Sequence, residues 1–294
     1  MDFDNSISNG LNNLGNTCFF NSVLQLLYQC TVLNKLVIIN NIDGSLIKYY
    51  RDFLISYSSK SNPSDILNYV SNILGRIGYS QEDAEQYLNY IIDSIIDELN
   101  TYIKLNSLEN LKLIDKNITL KTLIDYLFTI HITKNIICPN CNYISESNDN
   151  INKLYLSVNY DNLNDMLNEY LNEVLDDNNK YKCEKCKKYI NAIIKRKIIK
   201  LPKYLIITLK RYSNKNNKIN KNINISKNFK FNNKYYELRG IIYHSGSTNG
   251  GHYVYFGKKN NDWFLYNDSS VKKIDEEQID NIIKIGYIYL YVMK

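Results

Sequence analysis

Nowhere in these 294 residues does an apolar run approach the ~20 residues needed to span a bilayer. The opening stretch, MDFDNSISNG, lacks the positive segment and following apolar run of a secretory signal. Both absences give the expectation of an intracellular protein, in cytoplasm or nucleus, without a membrane partner. Internal repeats are missing, as is the strand–helix alternation that builds a wound parallel sheet. Histidine is scarce, with three residues, so imidazole chemistry has only three places to occur. Cysteine is limited to six, and an intracellular chain keeps its thiols reduced, which argues against a disulfide framework.

What the chain does have is apolar residues enough for a substantial core, 44% of the total. Its 27 tyrosines, with abundant Asn, Ile and Lys, read as codon bias rather than as a functional signal. The net charge of +6 includes a Lys/Asn-rich run at 214–234. Such a run can contact phosphates, but a solvated loop is the expected reading, so no obligate nucleic-acid partner is expected.

Apolar spacings of three and four predict a helix over 16–29, with Asn16 or Thr17 as its cap, and another over 81–99. Ser80 and Asp83 fit a capping box at the start of the second. Shorter helices are expected near 43–58, 64–74, 119–129 and 161–174. Leu205–Leu209 (LIITL) reads as a buried strand, with further strands at 236–243, 252–257, 262–267 and 286–292. Helices followed by strands make an α+β fold.

Four cysteines form two CxxC pairs, Cys138/Cys141 and Cys183/Cys186. Two such knuckles supply four thiolates, the donor set of a closed, structural Zn²⁺ site. Cys18 and Cys30 stand apart. Cys18 opens the first helix directly after Gly15-Asn16-Thr17, where backbone N–H groups and the helix dipole favour a thiolate. Cys30, at the far end of that helix, has no such setting and reads as structural. A thiol nucleophile needs a base and a group to orient it. His131 has no catalytic context. His244, in IIYHSG, and His252, which opens a strand after a double glycine, are rivals on local grounds. Asn267 and Asp268 are adjacent candidates for the third member, and strand alternation predicts that both cannot face His252.

Four stretches together resemble the ubiquitin-specific protease family of cysteine deubiquitinases: GLNNLGNTCFFNSVLQLLYQ (10–29), QEDAEQYLNYIID (81–93), LPKYLIITLKRY (201–212), and YELRGIIYHSGSTNGGHYVYF with WFLYNDSSV (236–271). The CxxC pairs are similar to the family's zinc-bearing fingers. The resemblance implies a papain-like thumb, palm and fingers: about residues 8–130, 131–200 and 201–294 as thumb, fingers and palm. It makes Cys18 the nucleophile, His252 the base and Asn267 the orienting residue, with Asp268 supporting it or replacing it. It assigns Asn13 to the oxyanion hole and Asp83 to the basic tail of ubiquitin. The implied activity is hydrolysis of the bond after ubiquitin's C-terminal glycine, with structural Zn²⁺, by a monomer acting on ubiquitinated proteins. Glu82, Glu85 and Gln86 depart from the family's usual QQDAHEFL.

Overall fold

A computed structural model describes residues 9–40, 45–60, 63–75, 81–105, 120–212, 217–247 and 250–294. Ser80, the expected capping-box partner, and part of the 214–234 run lie outside the described residues.

The helical part contains α1 (Cys18–Tyr28), α2 (Thr31–Asn40), α3 (Ser45–Lys60), α4 (Ser64–Ile73), α5 (Ala84–Leu105) and α6 (Leu120–Phe128). Next come β1 (Ile130–Ile137), β2 (Ile144–Ile151), β3 (Leu154–Ser157), α7 (Leu163–Leu171), β4 (Asn172–Val174), β5 (Tyr181–Lys182), β6 (Tyr189–Ile190) and β7 (Ile193–Lys200). The remainder is β8 (Tyr204–Lys210), β9 (Asn228–Phe231), β10 (Lys234–Ser247), β11 (Gly250–Lys259), β12 (Asp262–Asn267), β13 (Ser270–Ile274), α8 (Glu276–Ile285) and β14 (Ile288–Met293). The expected helix at 161–174 is shorter, because the chain passes into β4 at Asn172 and pairs there with β7. Helices α2 and α8 were not expected from the sequence. A full capping box, Asp275 with Gln278, starts α8.

The large sheet runs β13-β12-β11-β10-β14-β8-β3, with β9 added on β10. Its central strands are buried on both faces, which is why they read as continuous apolar runs. In β14, Ile288 and Leu290 join the core under the helices, while Tyr289 and Tyr291 join the core on the opposite face. Strand β8 alternates likewise, with Tyr204 and Ile206 on the helical side and Leu205 and Ile207 on the other. Helix α1 is buried along its whole length, so its N-terminus is held rigidly against the sheet. A second sheet, β2-β1-β7-β4, carries the CxxC segments at one end.

Arg211 is buried in the second half of the fold and satisfied by main chain alone. Its guanidinium donates to the carbonyls of Gly286, Ile219, Lys221 and Lys284. One planar fork thus ties the 217–225 segment to the end of α8. Among the described residues no single helix is long and apolar enough to cross a membrane; α1 and α2 pass that test only together, across an 84° bend.

Candidate active site

The chain enters α1 through a loop built by one side chain. Asn13 Oδ1 accepts from the backbone N–H groups of Gly15 and Thr17, both at 3.0 Å, and from the Thr17 hydroxyl at 3.2 Å. Gly15 (φ 99°) and Asn16 (φ 54°) occupy the left-handed region in succession, which favours Gly and Asn there. Thr17 is the N-cap residue, yet its hydroxyl makes no cap bond to the helix. Its Oγ1 accepts from Leu14 N–H at 2.9 Å instead. Cys18 is therefore the first helical residue, at the end of a loop held by four internal hydrogen bonds.

Strand β11 comes to meet it. The backbone N–H of Tyr253 donates to Cys18 Sγ at 3.4 Å, which brings the neighbouring His252 to the same place. His252 Nε2 lies 2.7 Å from Asn267 Oδ1 on β12. With that oxygen facing the ring, Nε2 carries the hydrogen and Nδ1 is the acceptor. Asp268 Oδ2 also approaches Nε2, at 3.9 Å. The alternation argument fails here because Asp268 has left the strand: it sits in the β12–β13 turn with φ 50°.

Asp268 binds the entry loop as well. Its carboxylate accepts from Asn13 Nδ2 at 2.8 Å and Asn21 Nδ2 at 2.7 Å, and its carbonyl from Leu11 N–H at 2.8 Å. Asn13 thus keeps one amide N–H for another acceptor. Sequence reasoning missed Asn21. The only signal for it was its position one helical turn beyond Cys18, on the same face.

His244 takes no part in this cluster. Its Nδ1 is 2.6 Å from the Tyr212 hydroxyl and its ring packs on Tyr253. Burial, with help from Lys218 and His252, pushes its pKa down to about 4, so it is neutral. It lies against Gly251, where a Cβ would come 2.3 Å from His244 Nε2 and 2.1 Å from Ser245 O. The second glycine of the Gly-Gly-His run is thus required by packing. His131 pairs across β1 with Asn150 and Lys200, in the other sheet.

The Cys18 thiol differs from the sequence expectation. Burial raises its pKa above the usual thiol value and outweighs the lowering by the N–H groups of Tyr253 and Phe19; the Asp268 carboxylate adds to the rise. A helix N-terminus alone does not make a thiolate here. Asp83 is the N-cap of α5: Oδ1 accepts from Glu85 N–H at 2.7 Å, and both oxygens accept from the Tyr287 hydroxyl at 3.2 Å. Gln81, two residues before it, donates to Gly251 O at 2.7 Å.

The four CxxC sulfurs lie within 4.8 Å of one another. Cys138 Sγ is 3.8 Å from Cys186 Sγ, and Cys141 Sγ is 3.7 Å from Cys183 Sγ. A tetrahedron with Zn–S bonds of ~2.3 Å has edges of about 3.8 Å, so the donors fit zinc. The knuckles are copies of each other. In each, the residue four after the first cysteine, Asn142 or Lys187, has positive φ and donates to that cysteine's carbonyl. Backbone N–H groups of Cys186 and Lys185 draw the Cys183 thiol down to about 7. The surrounding apolar cluster is small, with Ile190 and Ala192 beside Cys138 and Cys183. Zinc there would supply cohesion that this core lacks, with no open coordination position for chemistry.

A family model of ubiquitin carboxyl-terminal hydrolases matches residues 9–291. The chain belongs to that family. These are the cysteine-type deubiquitinating peptidases, so the enzyme class follows from membership. The "probable ubiquitin carboxyl-terminal hydrolase 16" of Schizosaccharomyces pombe is 28% identical over 325 residues, spanning all of this chain and 69% of the relative. Ubiquitin carboxyl-terminal hydrolase 16 of Arabidopsis thaliana is also 28% identical, over 96% of this chain and 30% of its own length. The Bos taurus ubiquitin carboxyl-terminal hydrolase 2 is 27% identical, over 92% and 53%. Against these three relatives the chain therefore spans from under a third to about two thirds of their length. Among solved structures, Ubp8 in the SAGA DUB module with Sgf11, Sus1 and Sgf73, bound to monoubiquitin, is similar with a TM-score of 0.75 at 25% identity. All of this chain and 70% of that one align. The family fold, with its helical first part and strand-rich remainder, is the one observed. The expectation of a monomer finds no support in that neighbour, which is part of a multi-protein module.

Proposed function

We propose that the chain removes ubiquitin from protein conjugates, with Cys18 as nucleophile, His252 as general base, Asn267 as its orienting residue and Asn13 as an oxyanion donor. The observation that carries this reading is the docking of Tyr253 N–H on Cys18 Sγ, with His252 next to it and Asn267 behind the imidazole. In this reading residues 8–130 form the thumb, 131–200 the zinc-bearing fingers and 201–294 the palm.

His252 Nδ1 takes the Cys18 proton, and the imidazolium offsets the burial that otherwise keeps the thiol neutral. The thiolate attacks the carbonyl carbon of ubiquitin's terminal glycine. The remaining Asn13 N–H and backbone N–H groups at the start of α1 hold the oxyanion. His252 then returns its proton to the departing lysine amine, leaving a thioester on Cys18. Water, deprotonated by His252, attacks the thioester and restores the thiol. Asn267 Oδ1 accepts the Nε2–H throughout and keeps the ring aimed. Asp268 supports both sides by holding Asn13 and approaching the imidazole, and Asp83 lines the path of the basic tail.

The enzyme is intracellular, works without nucleic acid or membrane, and needs no second copy of itself. Hydrolysis of a fluorogenic ubiquitin C-terminal amide tests the activity. Turnover by the wild type and its loss in Cys18→Ala and His252→Ala support it; no turnover by well-folded wild type contradicts it. Light scattering of the purified chain tests the monomer.

A further inference from the structure

Helix α5 has two contrasting faces. Ala84, Leu88, Ile91 and Ile95 enter the helical core. Glu85, Asn89 and Asp93, four residues apart along one stripe, instead make polar contacts with the segment that leads into β3. Glu85 Oε1 accepts from Lys153 Nζ at 2.6 Å and from Asn89 Nδ2. Asn89 also donates to the Tyr155 hydroxyl at 2.8 Å, and Lys153 Nζ lies 4.8 Å from the Tyr155 ring centre. Asp93 accepts from Asn152 at 2.6 Å. The Glu85 and Lys153 side chains are only 18% and 11% exposed, so this ion pair is poorly screened by solvent. Glu85 is also a position at which the chain departs from the family stretch.

The same stretch reaches toward the catalytic strand. Gln81 contacts Gly251, Asp83 contacts Tyr287, and Glu85 contacts Lys153, so alternate residues span from the mouth of β11 to β3. We propose that Glu85 and Lys153 are positioning residues for substrate: their ion pair fixes the first turn of α5, and with it Gln81 and Asp83, at one distance from the Gly-Gly-His run. This inference rests on the deubiquitinase reading, because the space so defined is the cleft that takes the extended end of ubiquitin.

The consequence of losing the pair follows from what remains. Burial already depresses the Lys153 pKa, and after Glu85 the carboxylates that favour its charge are Asp93 and then Asp83. A Lys153 deprived of Glu85 is left buried with Asp93 and Asp83 as its counter-charges, and its pull on Asp83 competes with the bonds from Glu85 N–H and Tyr287 that keep that carboxylate in place. The lip of the cleft shifts while Cys18, His252 and Asn267, on other elements, stay as they are.

Steady-state kinetics on the fluorogenic ubiquitin amide, with iodoacetamide alkylation of Cys18 as a ubiquitin-independent control, test this. Glu85→Gln and Lys153→Met each raise KM about fivefold or more, with kcat within about twofold and alkylation unchanged. Lys153→Arg, which keeps the charge, and the reversed pair Glu85→Lys with Lys153→Glu recover most of the loss. An unmoved KM in both single variants, a loss confined to kcat and alkylation, or a reversed pair no better than the singles overturns the inference. Wild-type protein that alkylates normally but turns over no ubiquitin amide overturns the deubiquitinase reading instead.

Discussion

Asn13 and Asp268 are joined by a 2.8 Å hydrogen bond that ties the loop before Cys18 to the turn after Asn267. The two ends of the site, some 255 positions apart in sequence, are therefore bonded directly to each other. Asp268 is the hub. It holds Asn13, Asn21 and Leu11 while its other side approaches His252.

This arrangement separates the roles of Asn267 and Asp268. Asn267→Ala lowers kcat about tenfold to a hundredfold by releasing the imidazole, with little change in melting temperature. Asp268→Ala lowers kcat and also costs about 2 kcal/mol of stability, because it removes the carboxylate that accepts from both Asn21 Nδ2 and Asn13 Nδ2. Kinetics paired with thermal melts of the two variants check the contrast.

Gly251→Ala places a methyl within 2.1 Å of Ser245 O and 2.3 Å of His244 Nε2. Strand β11 must shift, carrying His252 with it, so kcat/KM falls about a hundredfold. Gly250→Ala is far milder, since the nearest atom, Gln81 Oε1, is 3.4 Å away. Comparing the two variants in one assay separates packing from a general intolerance of side chains in the run.

The pH dependence of stability follows from His244. Its pKa is lowered from 6.5 to about 4 in the fold, so the unfolded chain binds more protons between those values. The stabilisation is complete above 6.5 and is lost as pH falls toward 4. Melting temperature therefore drops across that window in the wild type, and His244→Gln lacks this part of the drop.

Much of this was legible in the chain. The helix at 64–74, the strand LIITL and the four zinc-type cysteines stand where their spacing puts them, because periodicity and knuckle chemistry are local. The helix expected at 81–99 is present but starts later, at Ala84 with Asp83 as its cap, and runs on to Leu105. Strands β1, β2 and β7 were not legible, since ISESNDNI is mostly polar or charged, IIKRKIIK is half charged, and neither is fully buried. They take strand form through pairing, β2 with β1 across the first CxxC turn and β7 with β1 across some sixty residues of sequence. The site shows the same division. Cys18 and His252 carry local signals. The turn that lets Asp268 approach the ring beside Asn267 comes from the pairing of β12 with β13, and the burial that raises the Cys18 pKa exists only once the sheet packs on α1.

Zinc is expected at one ion per chain by elemental analysis. Cys183→Ser, or prolonged chelation, lowers the melting temperature and exposes the 138–190 segment to protease, because few apolar side chains remain there to hold it. Zinc content near zero in folded, active protein contradicts the assignment.

The most direct test of the central claim is reaction with ubiquitin bearing a C-terminal electrophile, followed by peptide mapping of the adduct. The account predicts one covalent ubiquitin per chain, attached to Cys18 and lost in Cys18→Ala. No adduct on folded wild type, or one that persists in Cys18→Ala, contradicts it.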